Sequence, residues 1–199
     1  MHRLFCLMGK SASGKDTIYK RLLEDSTLPL KRVVPYTTRP IRVKEENGRE
    51  YCFVTEQEYR ELRDGGKIIE ERCYHTACGD WYYFTADDGQ IRLSGSSYLM
   101  IVTPEAYRAL KARFGRAAVV PLLITLDEGE RLERALRRER KQPEPKYEEM
   151  CRRSLADAAD FSAEKLTAAG IAPEDTFLNE DLDLCTRQIH DRIAELLEE

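Results

Sequence analysis

The chain has 199 residues, of which 42% are hydrophobic and 34% charged, and its formal net charge is −4. This length and composition predict one globular domain with a full hydrophobic core. The acidic balance argues against a general nucleic-acid-binding protein. No apolar run approaches the roughly 20 residues of a membrane-spanning helix, so we expect no membrane association.

The first elements have the order strand, glycine-rich loop and helix. An apolar strand over 3–8 leads into Gly9-Lys10-Ser11-Ala12-Ser13-Gly14-Lys15-Asp16-Thr17, and a helix is predicted over 14–25. The glycines allow a tight turn and a close approach to a ligand, while the loop N–H groups and the helix N-terminus favour a polyanion. We therefore predict a phosphate-binding loop, or P-loop, in which Lys15 reaches the β- and γ-phosphates of ATP.

The rest of the chain alternates between strand and helix, which predicts an α/β fold with a mainly parallel central sheet flanked by helices. Thr55 and Glu58 have the spacing of a capping box at the start of one helix. Strands are predicted over 31–35, 51–54, 67–72, 81–84, 98–102, 118–126 and 177–179. Helices are predicted over 56–64, 87–92, 105–113, 128–140, 146–160 and 182–197.

The cysteines give little sign of a metal site. There are six of them, scattered and without a C-x-x-C pair. Cys73, His75 and Cys78 could suggest zinc, but the chain has only three histidines and no second cysteine pair follows. Reduced thiols in a cytoplasmic protein are therefore the preferred interpretation.

The polar segment from Thr37 to Tyr51 carries Arg39 and Arg42 on either side of Pro40. Because this segment is not helical, both guanidinium groups can turn towards one ligand, and guanidinium groups make two-point contacts with phosphate. Tyr51 can add a hydroxyl donor. Spacing alone leaves two interpretations open, a clamp for a phosphomonoester and a solvated basic loop.

Through the P-loop and this arginine-containing segment, the chain resembles the guanylate kinase family. Its Thr37-Thr38-Arg39-x-x-Arg42-x-x-Glu45-x-x-Gly48-x-x-Tyr51 is similar to the family signature at every fixed position, and the P-loop lies at the expected distance before it. The similarity continues, more loosely after residue 72, through Phe53-Val54, Ile69-Glu70, Tyr82-Tyr83 and Asn179-Glu180-Asp181.

The resemblance implies a P-loop nucleotide kinase with one domain over 1–199. Its three parts would be a core over 1–35, 99–136 and 161–199, a nucleoside-monophosphate-binding insert over 36–98, and a helical lid over 137–160. ATP would be the phosphoryl donor, GMP or dGMP the acceptor, and Mg²⁺ the cofactor. We expect a monomer or homodimer that binds neither nucleic acid nor membranes.

The resemblance also implies roles for individual residues. The catalytic residues would be Lys15, Arg39, Arg42, Arg138 and Arg153, with Arg137 and Arg140 as further lid candidates. The ATP site would comprise Gly9, Lys10, Ser11, Ala12, Ser13, Gly14, Lys15, Asp16, Thr17 and, near adenine, Asn179. The acceptor site would comprise Arg39, Arg42, Tyr51, Glu70, Tyr83 and Thr85, with Glu70 accepting hydrogen bonds from the guanine edge. Two alternative interpretations are open. Glu70 could be an ordinary carboxylate at the end of a strand, and the lid arginines could lie on solvated helix faces.

Several positions depart from the family pattern. Pro35 stands where a serine that helps read guanine is usual. Phe84-Thr85 stands where Gly-Ser is usual after the tyrosine pair, and about four extra residues precede this pair. The strand that should end in L-D-x-D-x-Q-G ends here in Thr103-Pro104-Glu105, without its acidic residues. In the P-loop, Asp16 replaces the Ser or Thr that binds Mg²⁺. We hypothesise that Asp16, with Thr17, supplies the missing carboxylate to the metal; the alternative is that Asp16 only satisfies the helix N-terminus.

The sequence leaves two other classes of function open. A related family that phosphorylates ribose 1,5-bisphosphate also carries Gly-Lys-Asp in its P-loop, and another nucleoside monophosphate could be the acceptor. A non-catalytic interaction module of guanylate kinase type is less favoured, because such modules commonly have degraded P-loops and this chain keeps Gly9, Gly14 and Lys15.

Overall fold

The computed structural model describes residues 1–42, 45–76 and 79–199, with only the backbone of residue 76. The strands in these ranges are β1 (Leu4–Met8), β2 (Leu30–Arg32), β3 (Tyr36–Thr37), β4 (Cys52–Phe53), β5 (Ile68–Thr76), β6 (Gly79–Ala86), β7 (Ser97–Ile101), β8 (Val119–Thr125) and β9 (Thr176–Leu178). The helices are α1 (Lys15–Glu24), α2 (Glu56–Asp64), α3 (Pro104–Phe114), α4 (Glu128–Arg140), α5 (Tyr147–Asp160), α6 (Ala163–Ala169) and α7 (Leu182–Glu198).

The central sheet has five strands in the order β2-β7-β1-β8-β9. Every strand pair in it is parallel, with Leu4 beside Tyr98 on one side and Val119 on the other. Parallel strands with helices on both faces are buried throughout, and all five residues of β1 are fully buried. The α/β prediction with a mainly parallel sheet is confirmed.

The residues of β1 alternate between two core clusters. Leu4, Cys6 and Met8 pack into a cluster with residues of α3, while Phe5 and Leu7 pack into a cluster with residues of α1 and α7. Side chains of successive strand residues point to opposite faces, so the sheet is covered by helices on both sides. Among the described residues, none of the helices is long and apolar enough to cross a membrane.

A second, mixed sheet has four strands in the order β4-β3-β6-β5. Its long hairpin, β5 with β6, is antiparallel, and β3 pairs with β4 in parallel. Tyr59 of α2 packs against Phe84 and Ala86 of β6 to form a small separate core. The predicted capping box at the start of α2 is present, since Thr55 and Glu58 exchange side chain-to-backbone hydrogen bonds.

The predicted helix over 87–92 is wrong. The hydroxyl of Tyr36 donates to Asp88 (2.7 Å), and the side-chain amide of Gln90 bonds both the N–H (3.0 Å) and the carbonyl of Val34 (3.2 Å). These contacts tie the segment to the chain before β3, so tertiary contacts override local propensity. β3 and α6 were not predicted, and the β5–β6 hairpin is longer than predicted.

Candidate active site

The P-loop connects the buried end of β1 to the first turn of α1. Gly14 has a φ of 92°, a left-handed conformation that side chains rarely adopt, and a Cβ atom there would overlap the amide nitrogen of Asn179. A Cβ atom at Gly9 would lie 2.6 Å from Ser13 Oγ and 3.0 Å from the carbonyl oxygen of Ile124. Both glycines are therefore required for this loop conformation.

Asn179 supports the P-loop from inside the fold. It follows β9, is 1% exposed, and donates a hydrogen bond of 2.6 Å from Nδ2 to the carbonyl oxygen of Ser13. Its buried Oδ1 has no hydrogen-bond partner among the described residues. The adenine contact implied for Asn179 by the family resemblance stays a prediction, while its contact with the loop is a feature of the structure.

Lys15, Asp16 and Thr17 begin α1 on the solvent side of the loop. Lys15 Nζ lies 3.4 Å from a carboxylate oxygen of Asp16, whose side chain is 74% exposed, and Thr17 is also exposed. Mg²⁺ prefers such oxygen ligands, and the helix N-terminus favours phosphate beside them. The residues present therefore fit an Mg²⁺ ion bound next to a nucleotide phosphate. Lys10 instead lies 3.2 Å from Glu128.

A buried arginine that the sequence analysis missed joins the P-loop to α4 and α5. Arg131 of α4 is 2% exposed, and it donates to the carbonyl of Ser11 (3.0 Å) and to Ser154 Oγ of α5 (2.9 Å). Asp157 of α5 accepts from the N–H of Ser11 at 2.7 Å and lies 3.8 Å from Arg131. The backbone of Ser11 is thus held at both its N–H and its carbonyl, and we call Arg131, Ser154 and Asp157 the Ser11 clamp.

Glu128 completes the charge balance around this arginine. It receives two hydrogen bonds from Arg131, of 3.1 and 2.5 Å, and one from Lys10. The hydrogen bond from Arg131 and, after it, the one from Lys10 lower the pKa of Glu128 to about 2. Glu128 is therefore ionised at neutral pH, and Arg131 is compensated although its side chain is buried.

Arg39 lies buried in the second sheet region. It is 3% exposed, forms a two-point ion pair with Glu45 (2.8 and 3.0 Å), and donates from Nε to the hydroxyl of Tyr83 (3.1 Å). Burial opposes its charge, but the hydrogen bonds to Glu45 and Tyr83 raise the pKa of Arg39 overall. Glu45 also accepts from the backbone N–H of Arg42 at 2.8 Å, so it fixes the position of the loop that carries both arginines.

Tyr51 packs against both Tyr83 and Arg39. Its ring packs edge-on against Tyr83 (centroids 5.6 Å apart) and lies under the guanidinium of Arg39 (5.4 Å). Burial is the main cause that raises the pKa of Tyr51, while the charges of Arg72 and Arg39 lower it. Arg42, in the same segment as Arg39, is exposed.

Glu70 and Thr85 lie opposite each other in the β5–β6 hairpin. Glu70 is 9% exposed and Thr85 is 2% exposed, and the Thr85 hydroxyl donates to Glu70 Oε1 at 2.7 Å. The other carboxylate oxygen, Oε2, is buried without a hydrogen-bond partner in the described part of the chain. Thr85 therefore orients Glu70, whose Oε2 lies 3.5 Å from Arg72 Nε.

The predicted lid arginines differ in their surroundings. Arg153 donates to Glu149 at 2.8 Å and shares this carboxylate with Arg152, and both bonds lower the pKa of Glu149 to about 2. The hydrogen bond to Glu149 raises the pKa of Arg152. Arg152 and Arg153 thus share one carboxylate on α5, whereas Arg138 is exposed on α4.

The metal site considered in the sequence analysis is brought together in part. One ligand atom from each of Cys73, His75 and Asp80 lies within 4.8 Å of the others, and all three side chains are exposed. His75 Nδ1 is 2.7 Å from Asp80, so the two side chains already satisfy each other. Cys78 lies outside the described residues. Cys6, Cys52, Cys73, Cys151 and Cys185 are free thiols.

The known proteins that this chain resembles include guanylate kinases. The sequence model of the family described as "Guanylate kinase" matches residues 1–161. A guanylate kinase of Porphyromonas gingivalis is 26% identical over 199 residues, covering 99% of both chains. A guanylate kinase of Oleidesulfovibrio alaskensis is 34% identical over 153 residues, covering 76% of this chain and 69% of that one.

The fold has a solved counterpart. A crystal structure of guanylate kinase from Anaplasma phagocytophilum superposes with a TM-score of 0.62 at 23% identity, covering 99% of this chain and 85% of that chain. At this identity, the superposition supports the shared fold, while the match of the family model covers both the P-loop and the segment from Thr37 to Tyr51.

Proposed function

The chain belongs to the guanylate kinase family, and on that premise we propose that it transfers the γ-phosphoryl group of ATP to GMP or dGMP. The products are ADP and GDP or dGDP. The observation that carries the proposal is that the chain has both a glycine-rich P-loop for the donor phosphates and a cluster of Arg39, Tyr51 and Tyr83, in contact with one another, for the acceptor phosphate. Phosphoryl transfer requires a donor site and an acceptor site that face each other, since catalysis rests on positioning and charge neutralisation.

On the donor side, the P-loop N–H groups and Lys15 bind the β- and γ-phosphates of ATP. Asp16 and Thr17 would hold Mg²⁺, which when bound neutralises charge on the phosphates. Asp16 is exposed and pairs with Lys15 at 3.4 Å, so little protein structure has to change for it to turn to the metal. Asn179 keeps Gly14 and Ser13 in place below the phosphates.

On the acceptor side, Arg39, Arg42, Tyr51 and Tyr83 bind the phosphate of the monophosphate. Arg39 is already held rigidly by Glu45 and Tyr83, which reduces the entropy lost when the acceptor phosphate is aligned for in-line attack. Glu70, oriented by Thr85, accepts hydrogen bonds from the guanine edge through Oε2, which makes no well-formed hydrogen bond within the described part of the chain. The attacking phosphate oxygen is itself an anion, so no protein base is needed to activate it.

The lid contributes positive charge over the moving phosphoryl group. We assign this role to Arg138 and Arg153 within 137–160, and we assign 36–98 to the acceptor-binding insert. The core then comprises 1–35, 99–136 and 161–199. The Ser11 clamp connects the lid helix α5 to the P-loop, so lid position and loop position are coupled. Lid closure excludes water from the transferred group.

We further infer that the protein works in the cytoplasm as a monomer or homodimer and binds no nucleic acid. The support is its net charge of −4 and its scattered cysteines. Light scattering after size-exclusion chromatography measures the oligomeric state, and a molar mass above that of a dimer contradicts this part of the proposal.

The activity is tested by coupling ADP release to NADH oxidation with ATP, Mg²⁺ and GMP, and by measuring GDP formed by chromatography. We expect ADP and GDP in equal amounts. In Arg39→Met, the loss of charged hydrogen bonds should raise KM for GMP by about 10- to 100-fold and change KM for ATP far less. Arg60→Met, at a side chain 70% exposed on α2, is the matched control and should behave as wild type. ADP without GDP, or equal losses for both substrates in Arg39→Met, contradicts the proposal.

A further inference from the structure

One face of the β5–β6 hairpin carries a row of polar side chains towards the acceptor site. Alternate residues of β5 share a face, which places Glu70, Arg72 and Tyr74 together. The register pairs Glu70 with Thr85 and Arg72 with Tyr83. Arg72 therefore lies between the carboxylate proposed to read the base and the tyrosine proposed to hold the phosphate.

Arg72 and Glu70 form an ion pair without a well-formed hydrogen bond. The side chain of Arg72 is 23% exposed, and its Nε is buried without a hydrogen-bond partner among the described residues. The same holds for Glu70 Oε2, which lies 3.5 Å from this Nε. The two charges compensate each other at this distance, but neither atom has a well-formed hydrogen bond. Buried polar atoms are usually hydrogen-bonded, so a small shift of either side chain would let this donor and this acceptor exchange their loose ion pair for hydrogen bonds to a ligand.

Arg72 is ionised on the acceptor side of the hairpin. Burial opposes its charge, but the charge of Glu70 is the main influence that raises the pKa of Arg72. Its register partner is Tyr83, on which Tyr51 packs at the phosphate end.

We propose that Arg72 is a specificity-determining residue of the acceptor site, which with Glu70 presents an adjacent donor and acceptor to the base and selects 6-oxopurine over 6-aminopurine monophosphates. This inference rests on the proposed function. A 6-oxopurine has a carbonyl acceptor, O6, beside a donor, N1–H, so Arg72 donates to O6 and Glu70 accepts from N1–H. A 6-aminopurine in the same pose places its amine against the guanidinium and the lone pair of N1 against the carboxylate.

The orientation of the base follows from the phosphate end. Arg39 and Tyr83 are fixed to each other at 3.1 Å, and a monophosphate bound there enters the hairpin face from the Tyr83 end. The base then reaches Glu70 and the guanidinium of Arg72, whose Nε points towards Glu70. An adenine ring that turned over to match these groups would have to leave this phosphate position.

The test compares kcat/KM for GMP, IMP and AMP in wild type, Arg72→Met and Arg72→Lys. IMP carries O6 and N1–H without the 2-amino group, so it isolates the contact with Arg72. In Arg72→Met we expect kcat/KM to fall by about 10- to 100-fold for GMP and IMP, with AMP unchanged or improved and KM for ATP unchanged. Arg72→Lys keeps the charge without the planar fork and should lose less. Arg63→Met, 58% exposed on α2, is the control and should match wild type.

Each outcome has a distinct meaning. An equal loss with all three acceptors makes Arg72 a phosphate or ribose contact and overturns base selection, and unchanged ratios of GMP to AMP overturn it as well. If Arg72→Met does not fold, Arg72→Lys still gives the ratio. If the wild type phosphorylates none of the three, the proposed function fails. Calorimetric affinities for GMP, IMP and AMP then test the selection by Arg72 independently, with equal affinities refuting it.

Discussion

Replacing Arg131 by methionine tests whether the Ser11 clamp holds the P-loop. The substitution keeps much of the side-chain length but removes the donors to Ser11 and Ser154. It also leaves Asp157, which is 18% exposed, without its buried cation.

The expected cost follows from burial. Removing one partner of a buried ion pair costs about 3–5 kcal/mol. Glu128 is 51% exposed and can regain water, so its share is small. We therefore expect the free energy of unfolding to fall by about 3 kcal/mol. For a chain of this size each kcal/mol shifts Tm by about 2–4 °C, so Tm should fall by about 6–12 °C.

The measurement is urea and thermal unfolding followed by circular dichroism, together with KM values for both substrates. Arg137→Met is the matched control on α4, because its side chain is 69% exposed and its ion pair with Glu133 spans 3.8 Å; its effect should stay within about 0.5 kcal/mol. Since the clamp acts on the P-loop, Arg131→Met should raise KM for ATP more than KM for GMP. Equal stability of the two variants would refute the reasoning.

Three further predictions concern the P-loop and its charges. Gly14→Ala should abolish ATP binding measured by calorimetry, because its φ of 92° and its closed surroundings both oppose a Cβ atom, whereas Gly66→Ala, at a φ of 64° in open space, should leave ATP binding unchanged. Glu128→Gln should be less stable than wild type by about 1 kcal/mol at pH 7, a value discounted for exposure. Because Arg131 lowers the pKa of Glu128 to about 2, the difference should shrink as the pH falls from 4.5 towards 2, and a pH-independent difference in urea unfolding contradicts this. Asp16→Ala should raise the Mg²⁺ concentration for half-maximal activity, and an unchanged Mg²⁺ titration removes Asp16 from the metal site.

Much of the fold was predictable because its signals are local. The apolar run before the P-loop, the glycines in it and the capping box of Thr55 and Glu58 depend on neighbouring residues only. The helix expected over 87–92 failed because Asp88 and Gln90 bond to residues more than 50 positions away. Such contacts between distant segments leave no periodic signal in the sequence.

The candidate site also has features that local sequence predicts and features that depend on distant segments. The arginine–tyrosine segment was visible because its spacing is distinctive, and the structure brings Arg39, Tyr51 and Tyr83 into contact. Arg131 gave no signal, since an arginine on a highly charged helix is usually solvated, and its burial depends on α5 and the P-loop. Arg72 had a weak signal, the alternation of Glu70, Arg72 and Tyr74 along a strand, which gains meaning only once the register with β6 is known.

The most direct test of the central claim is the rate of ADP release by the wild-type protein with ATP, Mg²⁺ and a panel of acceptors. The panel contains GMP, dGMP, AMP, CMP, UMP and ribose 1,5-bisphosphate. The last is included because a family that phosphorylates it also has Asp after the P-loop lysine, as Asp16 follows Lys15 here. The account predicts the highest kcat/KM with GMP or dGMP, with GDP or dGDP as product. Turnover that is fastest with ribose 1,5-bisphosphate, or ATP binding without turnover of any acceptor, would contradict it.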